Sequence, residues 1–243
     1  MAASMLAGAA ARALRRTLTA PMPALALGRA QRVCMSSLAS KLAEEIEYEK
    51  ANEGYVTQAS LPEALGEEFA DFEVDCQPGQ ALFSLQKQVG SSNVSITVNA
   101  CNPESMPVDG TEHVDLQATE EEDSVEPGEV EIISLTVRVS KEGAEQDTLF
   151  SLGLPVDEQA SFEIVGVQLV PAGMTLEQLG NSPLYEGPTF ADLDMKLQQA
   201  FYEHLESLGI DDGLASRVLA AADLKEEAEY QTWLLNMQQQ VLE

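Results

Sequence analysis

Few side chains in this 243-residue sequence are suited to nucleophilic, acid–base or metal chemistry. It has two histidines, His113 and His204, and three cysteines, Cys34, Cys76 and Cys101, which show no CxxC spacing. A Ser-His-Asp triad or a His/Cys zinc site would have to be built around a single histidine. The GxSxG, GxxxxGK(S/T) and GxGxxG motifs are absent. We therefore expect a protein that is not an enzyme and needs no cofactor or metal, with His204 packed on a helix face and His113 solvated in a loop.

Carboxylates are the abundant ionisable groups. The sequence has 41 acidic and 13 basic residues, for a net charge of −28. Five of the basic residues precede residue 41 and none of the acids does, so residues 41–243 carry eight basic residues and a net charge of −33. Such a surface repels the phosphates of nucleic acids and attracts basic proteins, basic peptides and cations. We expect basic protein partners and no direct binding of nucleic acid.

The acids are most concentrated between residues 109 and 131, where no lysine or arginine occurs. So much like charge with so little apolar content is typical of a loop that forms no packed element. Two alternatives stay open: a solvated loop that only aids solubility, and a low-affinity buffer for divalent cations, although no EF-hand pattern is present. We expect this acidic loop to bind basic partners through ten carboxylates: Asp109, Glu112, Asp115, Glu120, Glu121, Glu122, Asp123, Glu126, Glu129 and Glu131.

The first forty residues differ in composition from the rest. They are rich in alanine, leucine and arginine and contain no acid. Met5, Leu14 and Leu18 can share one face of a helix with arginines opposite, and the arginines interrupt the apolar run that a secretory signal would need. We predict a mitochondrial transit peptide over residues 1–40, followed by one domain over residues 41–243. A chloroplast transit peptide and a disordered basic tail are the alternatives.

The mature sequence begins with helical spacing and then changes to the period of a strand. Leu38, Leu42 and Ile46 recur every four positions, which predicts a helix over roughly residues 36–50 with a serine cap. Apolar residues fall out of step near Gly166, which predicts a β-bulge. After this helix, alternating apolar and polar residues predict six antiparallel strands, at 69–76, 81–85, 94–98, 133–139, 148–152 and 162–169.

Helical spacing returns after a passage rich in proline and glycine. One helix is predicted across residues 190–208, and Asp211 or Asp212 is predicted to cap a last helix. Trp233 and Leu234 are expected to be structural anchors of that last helix. Helices that are segregated from an antiparallel sheet give an α+β fold.

Several short segments near the C-terminus carry a resemblance. They are YEGP at 185–188, FYEHLESLGID at 201–211 and EYQTWL at 229–234. With them, the sequence resembles the mitochondrial acidic matrix protein family, also called the mitochondrial glycoprotein family, which includes the human complement globular-head-binding protein. The order of the parts also agrees: transit peptide, N-terminal helix, sheet, acidic loop and two helices.

The resemblance implies more than the residues show by themselves. It implies a twisted antiparallel sheet of about seven strands, flanked by one N-terminal and two C-terminal helices, in a doughnut-shaped homotrimer of the mitochondrial matrix. It also implies an adaptor or chaperone for basic proteins, such as mitochondrial ribosomal proteins, that supports mitochondrial translation and oxidative phosphorylation. No enzymatic activity is implied.

Overall fold

Helical spacing at the two ends of the chain and alternation between them form an α+β fold, as predicted. The computed structural model describes residues 30–51, 55–107, 129–156 and 160–242. Within these ranges the helices are α1 (Ala30–Lys50), α2 (Leu61–Glu68), α3 (Leu176–Gly180), α4 (Met195–Ser207) and α5 (Asp212–Leu242), with a 3-10 turn at Phe190–Asp192.

The strands form one sheet in which every neighbouring pair is antiparallel. Its order is β1-β2-β3-β5-β6-β7. Strand β4 pairs with the first residues of β5, and β3 pairs with the later ones. The number of strands implied by the resemblance is therefore confirmed. The strands are β1 (Glu73–Asp75), β2 (Leu82–Val89), β3 (Ser92–Asn99), β4 (Glu104–Pro107), β5 (Glu129–Lys141), β6 (Gln146–Pro155) and β7 (Glu163–Pro171).

Strand β4 is the one that the alternation pattern missed. Its sequence, ESMP, has no apolar alternation, and it is held in the sheet by pairing Pro107 opposite Glu129 and Glu104 opposite Ile132. The partner strand therefore begins at Glu129, not near residue 133. The predicted acidic loop extended too far, because Glu129 and Glu131 belong to β5.

Helix α2 was also missed, and the first strand was predicted too early. Leu61, Leu65 and Phe69 recur every four residues and are buried, so they follow a helical period. The Phe69 N–H donates to the Leu65 carbonyl and closes the helix. The predicted strand at 69–76 is therefore wrong over its first four residues, and β1 begins at Glu73.

Small side chains bring α5 close to the sheet. Alternate residues of the central strands, such as Ile96 and Val137, are buried in one cluster with residues of α5. Ala215, Ala221 and Ala228 of α5 lie in the same cluster and are fully buried. An alanine face lets a helix backbone approach the sheet without a gap, as close packing of the interior requires.

The C-terminal half of α5 extends past this core and packs against α1. The helix has 31 residues and is therefore about 46 Å long. Leu234 forms a second buried cluster with Leu42 and Ile46 of α1, as expected from their spacing. Leu38, which was expected on the same buried stripe, is 46% exposed.

Helix α1 starts earlier than the predicted serine cap near residue 36. It begins at Ala30 and crosses the predicted boundary between residues 40 and 41. No proline or glycine occurs between residues 30 and 50, so no helix-breaking residue stops the helix at the serines. The transit peptide stays a prediction, since residues 1–29 lie outside the described ranges.

Trp233 is not the buried anchor that was expected. Its side chain is 53% exposed and stacks on Tyr230, with ring centroids 6.2 Å apart. Leu234, one position later, is buried. Successive helical residues are rotated by about 100°, so only one of these two neighbours can face α1.

Specific residues define where the last two helices begin. The helix expected from residue 190 begins at Met195, after the 3-10 turn that buries Phe190. Asp211 caps α5, because its Oδ1 accepts a hydrogen bond from the Leu214 N–H at 2.9 Å.

The bulge near Gly166 is confirmed, since the pairing of β6 with β7 shifts register there.

The contact between α1 and α5 can be tested through neighbouring residues. Leu234→Ala should lower the free energy of unfolding by about 3 kcal/mol, because it removes buried apolar contacts and leaves a cavity. Trp233→Ala is the matched control, and its cost should be well below that value because half of the side chain is in water. Urea denaturation measures both, and equal losses would contradict this assignment of the anchor.

Candidate functional site

The structure describes only the end of the acidic loop. Glu129 and Glu131 lie on β5, and the Glu131 side chain is exposed. His113 lies outside the described residues. The same is true of the other eight predicted carboxylates: Asp109, Glu112, Asp115, Glu120, Glu121, Glu122, Asp123 and Glu126.

The basic residues after residue 40 are few, and most are already paired. Six of the eight basic residues after residue 40 form ion pairs: Lys41 with Glu44, Lys50 with Glu47, Lys87 and Arg217 with Asp71, Arg138 with Asp147, and Lys225 with Glu229. Since residues 41–243 hold 41 acids, most carboxylates cannot be neutralised within the chain. The surface is therefore negative whatever the position of the loop.

One ion pair is buried between α5 and the turn that follows β1. The Lys225 side chain is fully buried and donates to the Gln77 carbonyl at 2.9 Å and to Glu229. Both carboxylate oxygens of Glu229 accept from the Gly79 N–H at 3.0 Å. Burial raises the pKa of Glu229, but the hydrogen bonds from Lys225 and Gly79 outweigh it and leave that pKa below its usual value.

Two cysteines lie close to this ion pair and are poorly suited to nucleophilic chemistry. Burial raises the pKa of the Cys76 thiol, and it raises the pKa of Cys101 to about 11. Both thiols are therefore protonated at neutral pH, whereas the thiolate is the nucleophile and the metal ligand. His204 was expected to pack on a helix face; its side chain is exposed on α4, and its ring centroid lies 6.3 Å from that of Phe150.

Neither a cluster of metal ligands nor a helix suited to span a bilayer occurs in the described residues. Within them, no group of three or more His, Cys, Asp or Glu side chains is placed to hold a metal ion. Among the helices of the same ranges, none combines the length and the apolar character needed to cross a bilayer.

An apolar groove of about 680 Å³ opens at the β7 edge of the sheet. Strands β6 and β7 form its floor, the passage at 184–188 forms one wall, and the 3-10 turn with α4 forms the other. The groove was not predicted, because its residues come from three separate parts of the chain. Its apolar lining residues are Val167, Leu169, Leu184, Tyr185, Pro188, Phe190, Leu193, Leu197 and Phe201.

Tight contacts fix the shape of this groove. Gly187 has φ +92° and passes so close to β7 that an added Cβ would lie 2.2 Å from the Val167 carbonyl oxygen. The residue must therefore be glycine. The Tyr202 hydroxyl accepts a hydrogen bond from the Ile164 N–H of β7 at 3.2 Å. The ring of Phe201, which lines the groove, meets the ring of Phe150 edge to face, with their centroids 6.1 Å apart.

Comparisons with known proteins agree with the fold. A family model described as mitochondrial glycoprotein matches residues 42–241. A protein named mitochondrial acidic protein mam33, from Schizosaccharomyces pombe, is 26% identical over 220 residues, which cover 84% of this chain and 77% of that protein.

Solved structures show the same fold. The crystal structure of the Trypanosoma brucei p22 protein aligns with a TM-score of 0.61 at 22% identity, over 86% of this chain and 99% of that one. A Leishmania major protein of unknown function, described as a sequence homologue of human p32, gives 0.60 at 17% identity over the same shares.

The buried ion pair predicts a large difference between two lysines. Lys225→Ala should lower the free energy of unfolding by roughly 3 kcal/mol, because it leaves Glu229 without its charged partner. Lys41→Ala removes a lysine that also pairs with a glutamate on a helix, but in water, and should leave stability unchanged within error. Thermal and urea unfolding of both variants measure the contrast, and a neutral Lys225→Ala would contradict this role.

The same pair predicts a pH dependence. The lowered pKa of Glu229 means that its contribution to stability is complete above the unfolded-state pKa, roughly 4.3, and is lost as the pH falls through the lower folded-state value. Glu229→Gln should therefore be less stable than the wild type at pH 7, and this difference should shrink below about pH 4. Urea titrations at several pH values measure it, and a difference that grows on acidification would contradict the sign.

Proposed function

Because this chain belongs to the mitochondrial glycoprotein family, we propose that it is a non-enzymatic acidic protein of the mitochondrial matrix that binds basic partner proteins. Family membership and the name of the Schizosaccharomyces pombe relative support a mitochondrial location. The predicted transit peptide supports the matrix in particular. The raised pKa values of Cys76 and Cys101 support a role without catalysis.

The observation that carries this proposal is the excess of carboxylates. Residues 41–243 hold 41 acids against eight basic residues, six of which are engaged in ion pairs. A field of this sign speeds encounters with positively charged proteins, and salt screens it. The acidic loop at 109–131 adds the densest part of this charge.

The nature of the partners follows from charge and from the family. Ribosomal proteins are a basic class of partner that a negative surface can bind and shield from other polyanions. An adaptor or chaperone of this kind would support mitochondrial translation and, through it, oxidative phosphorylation. This part of the proposal is based on the family resemblance.

A homotrimer is part of the same proposal. Apolar side chains lie exposed on the pair formed by α1 and α5, among them Tyr48, Trp233 and Leu242. Exposed apolar patches of this kind often mark contacts between subunits. Because each copy carries a large negative charge, the association of three copies needs such an apolar contact to offset their repulsion.

Light scattering on the full chain tests charge-driven binding. We expect a mass about three times the 26.2 kDa of the chain, capture of a basic ribosomal-protein fraction at low salt, and release at high salt. The same fraction with its lysines acetylated is the matched control and should be captured far less. Equal capture of both fractions would contradict binding by charge, and a monomeric mass would contradict the trimer.

The acidic loop can be tested separately. Replacing its ten carboxylates by the corresponding amides should weaken capture, because it removes the densest negative patch. Calorimetry with calcium on the same variant examines the alternative function of a divalent-cation buffer. Loss of cation binding with unchanged capture of proteins would favour that alternative.

A further inference from the structure

The groove at the β7 edge leaves a continuous apolar surface open to water. Tyr185 is 77% exposed and Leu197 is 46% exposed, although both line it. Ring packing holds one wall in place, because Phe201 contacts both Phe150 and Phe190. Water in such a groove gains little from its apolar walls, so an apolar side chain that displaces it is favoured.

The edge of the sheet beside the groove is partly closed to an added strand. The Ile164 N–H of β7 already donates to the Tyr202 hydroxyl. Gly187 covers the Val167 carbonyl at very short range. A partner therefore cannot pair along the whole of β7, and it must bind mainly through side chains that enter the groove.

The chain segment that supplies both walls of the groove also carries many exposed acids. Residues 176–207, which include both walls, carry a single lysine, Lys196, against six acids, all of them exposed. Three of these acids directly adjoin lining residues in the chain. They are Glu186, Asp192 and Asp194. An apolar groove with these three exposed acids beside it, here called the acidic rim, is complementary to an apolar side chain flanked by lysine or arginine.

We propose that this groove binds a leucine-like or aromatic side chain of a basic partner protein, while the acidic rim holds the neighbouring lysines or arginines. This inference rests on the proposed function and adds a selective site to it. The acidic surface attracts any basic protein, and the groove selects those with an apolar residue within the basic segment. The site combines the apolar walls of the groove with the acidic rim beside them.

The experiment compares a short lysine-rich peptide that contains leucines with a matched peptide in which serine replaces each leucine. Fluorescence anisotropy measures the binding of both to the full chain at low salt. Because burying a leucine side chain is favourable by about 1.5–3 kcal/mol, the leucine peptide should bind at least about 10-fold more tightly. Leu197→Asp should abolish that preference by placing a carboxylate on an apolar wall of the groove.

Met195→Asp is the matched control. Met195 lies two residues earlier on the same helix, is 82% exposed and does not line the groove. It adds the same charge to the same helix but outside the groove, so the preference for leucine should persist. Tyr185→Ser, a second change at an exposed lining residue, should reduce the preference without burying a charge.

The possible failures can be told apart. Equal, salt-sensitive binding of the two peptides would overturn the groove and leave the proposed function intact. No binding of either peptide would count against the proposed function itself. If Leu197→Asp but not Met195→Asp lowers the mass measured by light scattering, the groove is a contact between copies of this chain, and the inference is overturned.

Discussion

The large excess of carboxylates is the constraint on which the rest of this structure depends. Self-repulsion opposes a compact chain of this charge, so the apolar core and a few ion pairs must offset it. Four of the eight basic side chains after residue 40 lie where elements meet. Lys225 joins α5 to the turn after β1, and Arg217 joins α5 to the residues that follow α2. Arg138 joins β5 to β6 through Asp147, which also accepts from the Gly173 N–H after β7. The outer surface is therefore left with little positive charge.

Much of the fold could be predicted because its periodicities are clean. The alternation around Ile96 and the four-residue spacing of Leu42 and Ile46 each identify an element and its buried face. The failures have physical reasons. Phe69 fits both a helical and a strand period, and packing rather than propensity decides between them. Three apolar residues follow one another from Trp233, so the sequence does not show which of them faces α1. Strand β4 depends on its pairing with β5, which leaves no local pattern in its own sequence.

The candidate site was less accessible to sequence reasoning than the fold. Charge density at 109–131 is visible in composition alone, because it needs no knowledge of contacts. The groove requires three distant segments to meet, and its residues look like ordinary core positions in the sequence. The one local signal was the YEGP run at 185–188, where Gly187 is needed for the close approach to β7. That run is also one of the segments that carry the family resemblance.

Charge and apolar contact contribute differently to a protein of this kind. Attraction between opposite charges acts at a distance and sets the rate of encounter, but it distinguishes poorly among basic partners. An apolar groove acts only in contact, and it favours partners whose side chains fit. A binder that relied on charge alone would release its partners in the order of their charge, whatever their apolar side chains. With an apolar site beside the acidic surface, release also depends on the sequence of the partner, because the apolar contribution is not screened by salt.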